Sequence, residues 1–65
     1  MKKVKTLKGW GIYQNNAKEI KEYCFEFTVL HPENMEHSYL CTPADSYWEC
    51  ESMEEAIGWI NSFRG

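Results

Sequence analysis

The chain has 65 residues with three Trp, four Tyr and three Phe, and its formal net charge is −3. This length predicts one domain, residues 1–65, which buries only about 60% of its unfolded surface, and the aromatic content argues against disorder. No apolar run reaches the roughly 20 residues of a membrane span, and no apolar signal core follows the basic N-terminus, so we expect a cytoplasmic protein.

The first half of the chain predicts two strands. Trp10–Gln14 is the first, and residues 16–22 are interpreted as a loop despite the good helix propensity of their sequence. The second strand is predicted over residues 23–30. Its odd positions are all apolar, which places them on one face: Tyr23, Phe25, Phe27 and Val29. The even positions are mixed and suit partial exposure: Cys24, Glu26, Thr28 and Leu30.

Two shorter strands are predicted in the second half, at residues 38–41 and 47–51. Residues 42–46 contain Thr-Pro-Ala-Asp-Ser, a turn signal that would join them as a hairpin. In the last strand Trp48 and Cys50 alternate with polar neighbours. These two residues would therefore face the core.

The clearest predicted element is a helix over residues 53–63. Ser52 and Glu55 have the spacing of a capping box, in which each side chain bonds the other residue's backbone N–H. An apolar stripe follows at helical spacing: Met53, Ala56, Ile57, Ile60 and Phe63. Trp59 falls at the edge of that stripe. Gly58 costs roughly 1 kcal/mol relative to Ala; either a strand passes close to it, or the position is unoptimised, which we favour.

This order of elements predicts an α+β fold with a three- or four-stranded antiparallel sheet and one C-terminal helix packed on one face. The helix stripe would meet the apolar face of the sheet. The residues expected at the centre of this core are Phe25, Phe27, Trp48, Ile57 and Ile60.

Neither the cysteines nor the histidines form a recognisable site. Cys24, Cys41 and Cys50 contain no C-x-x-C pair, and an odd number without such a pair favours packed, reduced thiols. His31 and His37 fit the spacing of zinc-binding histidines only loosely. We therefore predict no catalytic residues, no metal and no cofactor.

Charge is distributed unevenly along the sequence. Residues 1–21 contain six lysines and one acid, whereas residues 22–63 contain nine acids and no Lys or Arg. One interpretation is that the N-terminal lysines lie in a strand beside the acidic ones and neutralise the acids by cross-strand pairing. The other is an exposed acidic surface that would attract a basic partner. We expect its protein-binding residues, exposed on the sheet face opposite the helix, to be Glu22, Glu26, Glu49 and Glu51.

Two functions therefore stay open, with a small enzyme or metal protein as a minor third. The first is a non-enzymatic interaction module, such as an inhibitor or regulator, that binds a basic or nucleic-acid-binding protein through its acidic face. The second is nucleic-acid binding by the N-terminal lysines, with stacking on Trp10, Tyr13 and Tyr39. The acidic balance opposes the second, because duplex binding depends on neutralising phosphates. If the acidic face is only a solvated surface, Trp59 and the exposed tyrosines become the next candidates.

Overall fold

A four-stranded antiparallel sheet in the order β1-β2-β3-β4 forms the centre of the computed structural model, which describes residues 1–64. The strands are β1 (Lys2–Leu7), β2 (Trp10–Gln14), β3 (Phe27–Leu30) and β4 (Glu49–Cys50). Two α-helices accompany them, α1 (Ala17–Tyr23) and α2 (Met53–Ser62). The predicted α+β class, with an antiparallel sheet and a helix near the C-terminus, is confirmed.

The strand β1 was not predicted, because its lysine-rich sequence has no apolar face. It pairs with β2 through a tight hairpin in which Leu7 lies opposite Trp10. Lys8 and Gly9 form the turn with φ of 53° and 85°, as two-residue turns with a twist matching the strands require. The register shifts between Lys3 and Lys5, where the strand bulges.

The loop predicted for residues 16–22 is wrong, because α1 occupies this segment. The Asn16 side chain accepts from the Glu19 N–H at 2.8 Å, and the Glu19 carboxylate accepts from the Asn16 N–H at 2.9 Å. This reciprocal capping box starts the helix. Cys24 ends it in the left-handed conformation, with φ of 69°. The strand predicted over residues 23–30 is therefore reduced to Phe27–Leu30.

The strand predicted at residues 38–41 is also wrong. A 3₁₀ segment, Pro32–Leu40, takes its place. His31 caps this segment, since its Nδ1 accepts from the Glu33 N–H at 3.1 Å. The predicted hairpin over residues 42–46 is instead a short 3₁₀ turn, Pro43–Asp45. It leads into β4, which retains only two residues of the predicted strand.

The C-terminal helix is confirmed, within one residue of its predicted end. Ser52 Oγ accepts from the Glu55 N–H at 3.1 Å, and the reciprocal bond is not formed between these two described residues. Nothing lies within 4 Å of a Cβ built on Gly58, so no strand passes close to it. None of the helices formed by residues 1–64 is long and apolar enough to cross a bilayer.

The main core lies between α2 and one face of the sheet. Its buried members come from β2, β3, β4 and α2: Trp10, Ile12, Val29, Cys50, Ala56 and Ile60. Of the five predicted core residues, Ile60 is buried here, and Phe27, Trp48 and Ile57 pack against this cluster while partly exposed. Phe25 is buried as well, but it precedes β3 and lies outside this cluster.

The second face of the sheet is covered too, which contradicts its predicted partial exposure. Thr28 and Leu30 on this face of β3 are fully buried, because the two 3₁₀ segments pack against β3. Asn15 is buried beside them. Its Nδ2 donates to the Phe25 carbonyl at 3.0 Å, and its Oδ1 accepts from Thr28 Oγ1 at 2.7 Å.

Candidate protein-interaction surface

The four glutamates predicted to bind a partner are all exposed, but they do not share one face of the sheet. Glu22 lies on α1, and Glu26 lies in the turn between α1 and β3. Glu49 is in β4 opposite Thr28, and Glu51 follows that strand. The expected acidic sheet face is therefore wrong, because α1 and the 3₁₀ segments occupy the places assigned to strands. Protein binding by these residues stays a prediction.

The acids that lie together in the sequence are those of β4 and the start of α2. They fall within residues 49–55 and are all exposed: Glu49, Glu51, Glu54 and Glu55. We call these four residues the acidic edge. Two of them act on the buried thiol of Cys50: burial first, and then the charges of Glu55 and Glu51, together raise its pKa to about 11. These carboxylates therefore lie near the rim of the core.

The N-terminal lysines lie at the other edge of the sheet. Lys2, Lys3 and Lys5 belong to β1, which pairs only with β2, while β4 pairs only with β3. With strands about 4.8 Å apart, the two edges are separated by roughly 14 Å, more than a Debye length of about 8–10 Å. Cross-strand neutralisation of Glu49 by the lysines is therefore ruled out by the topology.

Within residues 1–64 the only ion pair at 4.0 Å or less joins the Met1 amino group to Glu19 Oε2, at 2.9 Å. Burial alone would raise the pKa of Glu19. The hydrogen bond from the Asn16 N–H and the charge of the Met1 ammonium outweigh burial and hold that pKa below its ordinary value. All six lysines are exposed. We call Lys2, Lys3 and Lys5 of β1 the lysine edge. The side chains of both the acidic edge and the lysine edge are thus exposed to solvent.

A ladder of three tryptophans runs from the core to the surface beside the acidic edge. Trp10 is buried and stacks on Trp48 with ring centroids 4.9 Å apart and planes 25° apart. Trp48 stacks in turn on Trp59 at 5.6 Å and 13°. Trp59 is 47% exposed. Stacked rings of this kind stabilise one another and fix the position of the outermost ring.

The outer end of this tryptophan ladder opens into a hollow on the exposed face of α2. The hollow has a volume of about 450 Å³ and is lined by Glu55, Gly58, Trp59 and Ser62. These residues follow the i, i+3, i+4, i+7 spacing of one helix face. The hollow therefore combines an aromatic ring, a carboxylate and a bare stretch of helix backbone.

Of the aromatics expected to stack on bases, two are not accessible. Trp10 and Tyr13 are buried, because both faces of the sheet are covered. Tyr39 is 81% exposed, but it lies in a 3₁₀ segment rather than in the sheet. It lines a second hollow of about 430 Å³ together with Lys3. The largely buried Tyr13 also lines this hollow, so one lysine and two tyrosines meet beside β1.

The thiols and histidines are dispersed over the described part of the chain. Cys24 is exposed, Cys41 is half-buried and Cys50 is buried, and all three are free. Burial, and then the charge of Asp45, raises the pKa of Cys41. No three His, Cys, Asp or Glu side chains of residues 1–64 converge as metal ligands. The His31 ring packs edge-on against Trp10, with the two ring centroids 4.8 Å apart.

No family model, curated protein or solved structure matches the chain. Function therefore has to be inferred from the chemistry of its own surface. On that surface, the helical spacing of residues 53–63 already placed Trp59 at the margin of the apolar stripe. Its stacking on Trp48 depends on tertiary packing, and no local sequence signal predicts it.

Proposed function

We propose that this chain is a non-enzymatic protein-interaction module that presents its acidic edge to a basic partner. The partner would be a basic protein, of which nucleic-acid-binding proteins are one class. The observation that carries the proposal is the separation of charge. Glu49 lies in β4, and Glu51, Glu54 and Glu55 follow it within six residues up to the first turn of α2, whereas the lysines of β1 lie at the opposite edge of the sheet. A surface of one sign that is not neutralised locally speeds encounter with a partner of opposite sign.

The reducing cytoplasm is the proposed location. Cys24 is exposed and unpaired, and an exposed single thiol survives best where glutathione and thioredoxin keep thiols reduced. The buried thiol of Cys50 is consistent with this, since it packs in the core as a small apolar group.

A second candidate function is nucleic-acid binding at the β1 edge. The hollow shared by Lys3 and Tyr39 is the observation that favours it, because single-stranded nucleic acids bind to lysines and exposed aromatic rings together. The overall charge of −3 opposes it. Burial of Trp10 and Tyr13 further reduces the stacking surface that this function could use.

Matched charge reversals at the two edges test these proposals against each other. The double variant Glu49→Lys/Glu51→Lys alters the acidic edge, and Lys3→Glu/Lys5→Glu alters the lysine edge. The probes are a short lysine- and arginine-containing peptide and a short single-stranded DNA, titrated at low and high salt. We expect the cationic peptide to bind the wild type with strong salt dependence, and the reversal at the acidic edge to abolish binding.

The lysine-edge variant serves as the control, because it changes the same number of charges and should retain peptide binding. Unchanged peptide binding by Glu49→Lys/Glu51→Lys would overturn the proposal. DNA binding that is lost only in Lys3→Glu/Lys5→Glu would establish the second candidate in its place.

A further inference from the structure

The hollow on α2 is acidic and aromatic at once, and this combination indicates a more specific ligand than a basic surface in general. We propose that it receives one arginine side chain of the basic partner, an inference that rests on the proposed function. The guanidinium would stack on the exposed part of the Trp59 ring and pair with the Glu55 carboxylate, which lies one helical turn before it.

The geometry of Trp59 favours a flat cation. One face of the indole stacks on Trp48 with the two planes 13° apart and the ring centroids 5.6 Å apart, and Trp59 as a residue is nevertheless 47% exposed. A guanidinium is planar and weakly hydrated, so it stacks on such a ring and still donates paired hydrogen bonds to a carboxylate. A lysine ammonium is compact and strongly hydrated, so it packs less well against the indole ring than a guanidinium does.

Gly58 makes the space that this ligand needs. Apart from its two chain neighbours and the backbone of α2, no atom lies within 4 Å of a Cβ built at this position, so no other element requires a glycine here for close packing. Its absent side chain leaves the helix backbone as the floor of the hollow between Glu55 and Trp59. A methyl group added there would project into the hollow without meeting any part of the protein beyond its two chain neighbours and the backbone of α2.

Charge complementarity commits the site to a cation. Residues 22–63 contain no Lys or Arg, and Glu54 and Glu55 occupy the first turn of α2. These two carboxylates would repel an anionic ligand such as a phosphate or a carboxylate. Because the ring of Trp59 is held by the ladder of Trp10 and Trp48, little ordering cost arises when a ligand binds to it.

The test compares three cationic peptides that differ at one position, which carries arginine, lysine or neutral citrulline. Binding is followed in NMR titrations through the indole N–H of Trp59 and through the backbone amides of α2. We expect the arginine peptide to bind most tightly and to shift the Trp59 signal. Removing the ring contact or the carboxylate contact should weaken its binding about two- to fivefold each.

Three variants locate the site. Glu55→Gln and Gly58→Ala should both weaken the arginine peptide, and Gly58→Ala should do so while raising the melting temperature, which excludes unfolding as the cause. Glu54→Gln is the matched control, since it removes the same charge from the same turn but does not line the hollow. Its effect should be smaller than that of Glu55→Gln.

The outcomes distinguish a failure of the arginine site from a failure of the proposed function, which is binding of a basic partner. If the three peptides bind equally, or if Glu54→Gln and Glu55→Gln have equal effects while Gly58→Ala has none, the arginine site is wrong and the acidic edge still stands. If no cationic peptide binds the wild type, the proposed function itself is wrong.

Discussion

Asn15 connects the end of β2 with the start of β3, and it is only 2% exposed. Its side chain satisfies both the Phe25 carbonyl and the Thr28 hydroxyl, while its own N–H donates to the Glu26 carbonyl at 2.9 Å. These bonds hold the turn that follows α1 against the sheet. The sequence marks Asn15 only as a turn residue, because a buried amide and an exposed amide have the same local pattern.

Asn15→Ala should therefore destabilise the fold by about 2–3 kcal/mol, since it leaves two buried polar groups without a partner. The neighbouring Asn16→Ala is the control, because it removes only the helix cap, at a cost of about 1 kcal/mol. Urea denaturation of both variants measures the difference. Equal losses at the two positions would show that the Asn15 bonds contribute no more than an exposed cap.

The thiol of Cys50 makes the free energy of unfolding decrease with pH in the alkaline range. Its pKa is raised from 9.0 to about 11 in the folded protein, so the unfolded chain loses this proton first. The contribution is fully present below pH 9 and is lost as the pH rises toward 11. We expect the urea midpoint of the wild type to fall more steeply across this range than that of Cys50→Ala, which lacks only this thiol. Parallel curves for the two proteins would contradict the assignment.

Among the elements, α2 is predictable because several local signals agree within it. Ser52 provides the cap, and the apolar residues repeat at helical spacing. The shorter helix α1 has no buried residue, so no apolar stripe marks it. Its capping box, Asn16 with Glu19, is present in the sequence and would have identified it. The Asn15-Asn16 pair in front of it also has the composition of a turn, and that pattern favours the predicted loop.

The strands are harder to predict, because burial reverses the usual pattern. In β3 both faces are covered, so Thr28 and Leu30 are buried on the face that alternation assigns to solvent. Tyr39 and Leu40 have the composition of a strand, yet they are 81% and 69% exposed in a 3₁₀ segment. Such cases are decided by tertiary packing, which a single sequence does not encode in its local periodicity.

Substitution of Gly58 tests whether this position is an exposed, unpacked site in the interior of α2. Replacing it with alanine should stabilise the protein by about 1 kcal/mol, because the helix interior prefers alanine and the added methyl group meets only open space. Thermal unfolding of Gly58→Ala and of the wild type measures this gain. A lower melting temperature would mean that the helix is packed against something at this position.

At the scale of the whole molecule, the uneven charge of the sequence becomes an uneven charge in space. The sequence alone left open whether the lysines neutralise the acids, because that depends on strand order. Strand order β1-β2-β3-β4 settles this by placing the lysines and Glu49 at opposite edges. The identity of the acidic edge could not be predicted, since it requires knowing that residues 22–26 lie outside the sheet.

Separated charges should make binding of a charged partner more sensitive to salt than the stability of the fold is. We expect the melting temperature to change little between low and moderate salt, because exposed charges without close partners contribute little to folding. Binding of the cationic peptide should weaken markedly over the same range. A large change in melting temperature would instead indicate that the lysines and acids interact within the fold.

The bulged, lysine-rich strand β1 also has a consequence for how the molecule behaves at high concentration. An edge strand exposes unpaired N–H and C=O groups, which invite a strand from another copy and lead to aggregation. Lysines along the edge and the irregularity between Lys3 and Lys5 both discourage such pairing. Replacing these lysines with glutamate keeps the edge charged, whereas replacing them with valine would remove that protection. The basic N-terminus would then serve to keep a small, aromatic-rich domain from polymerising through its own sheet.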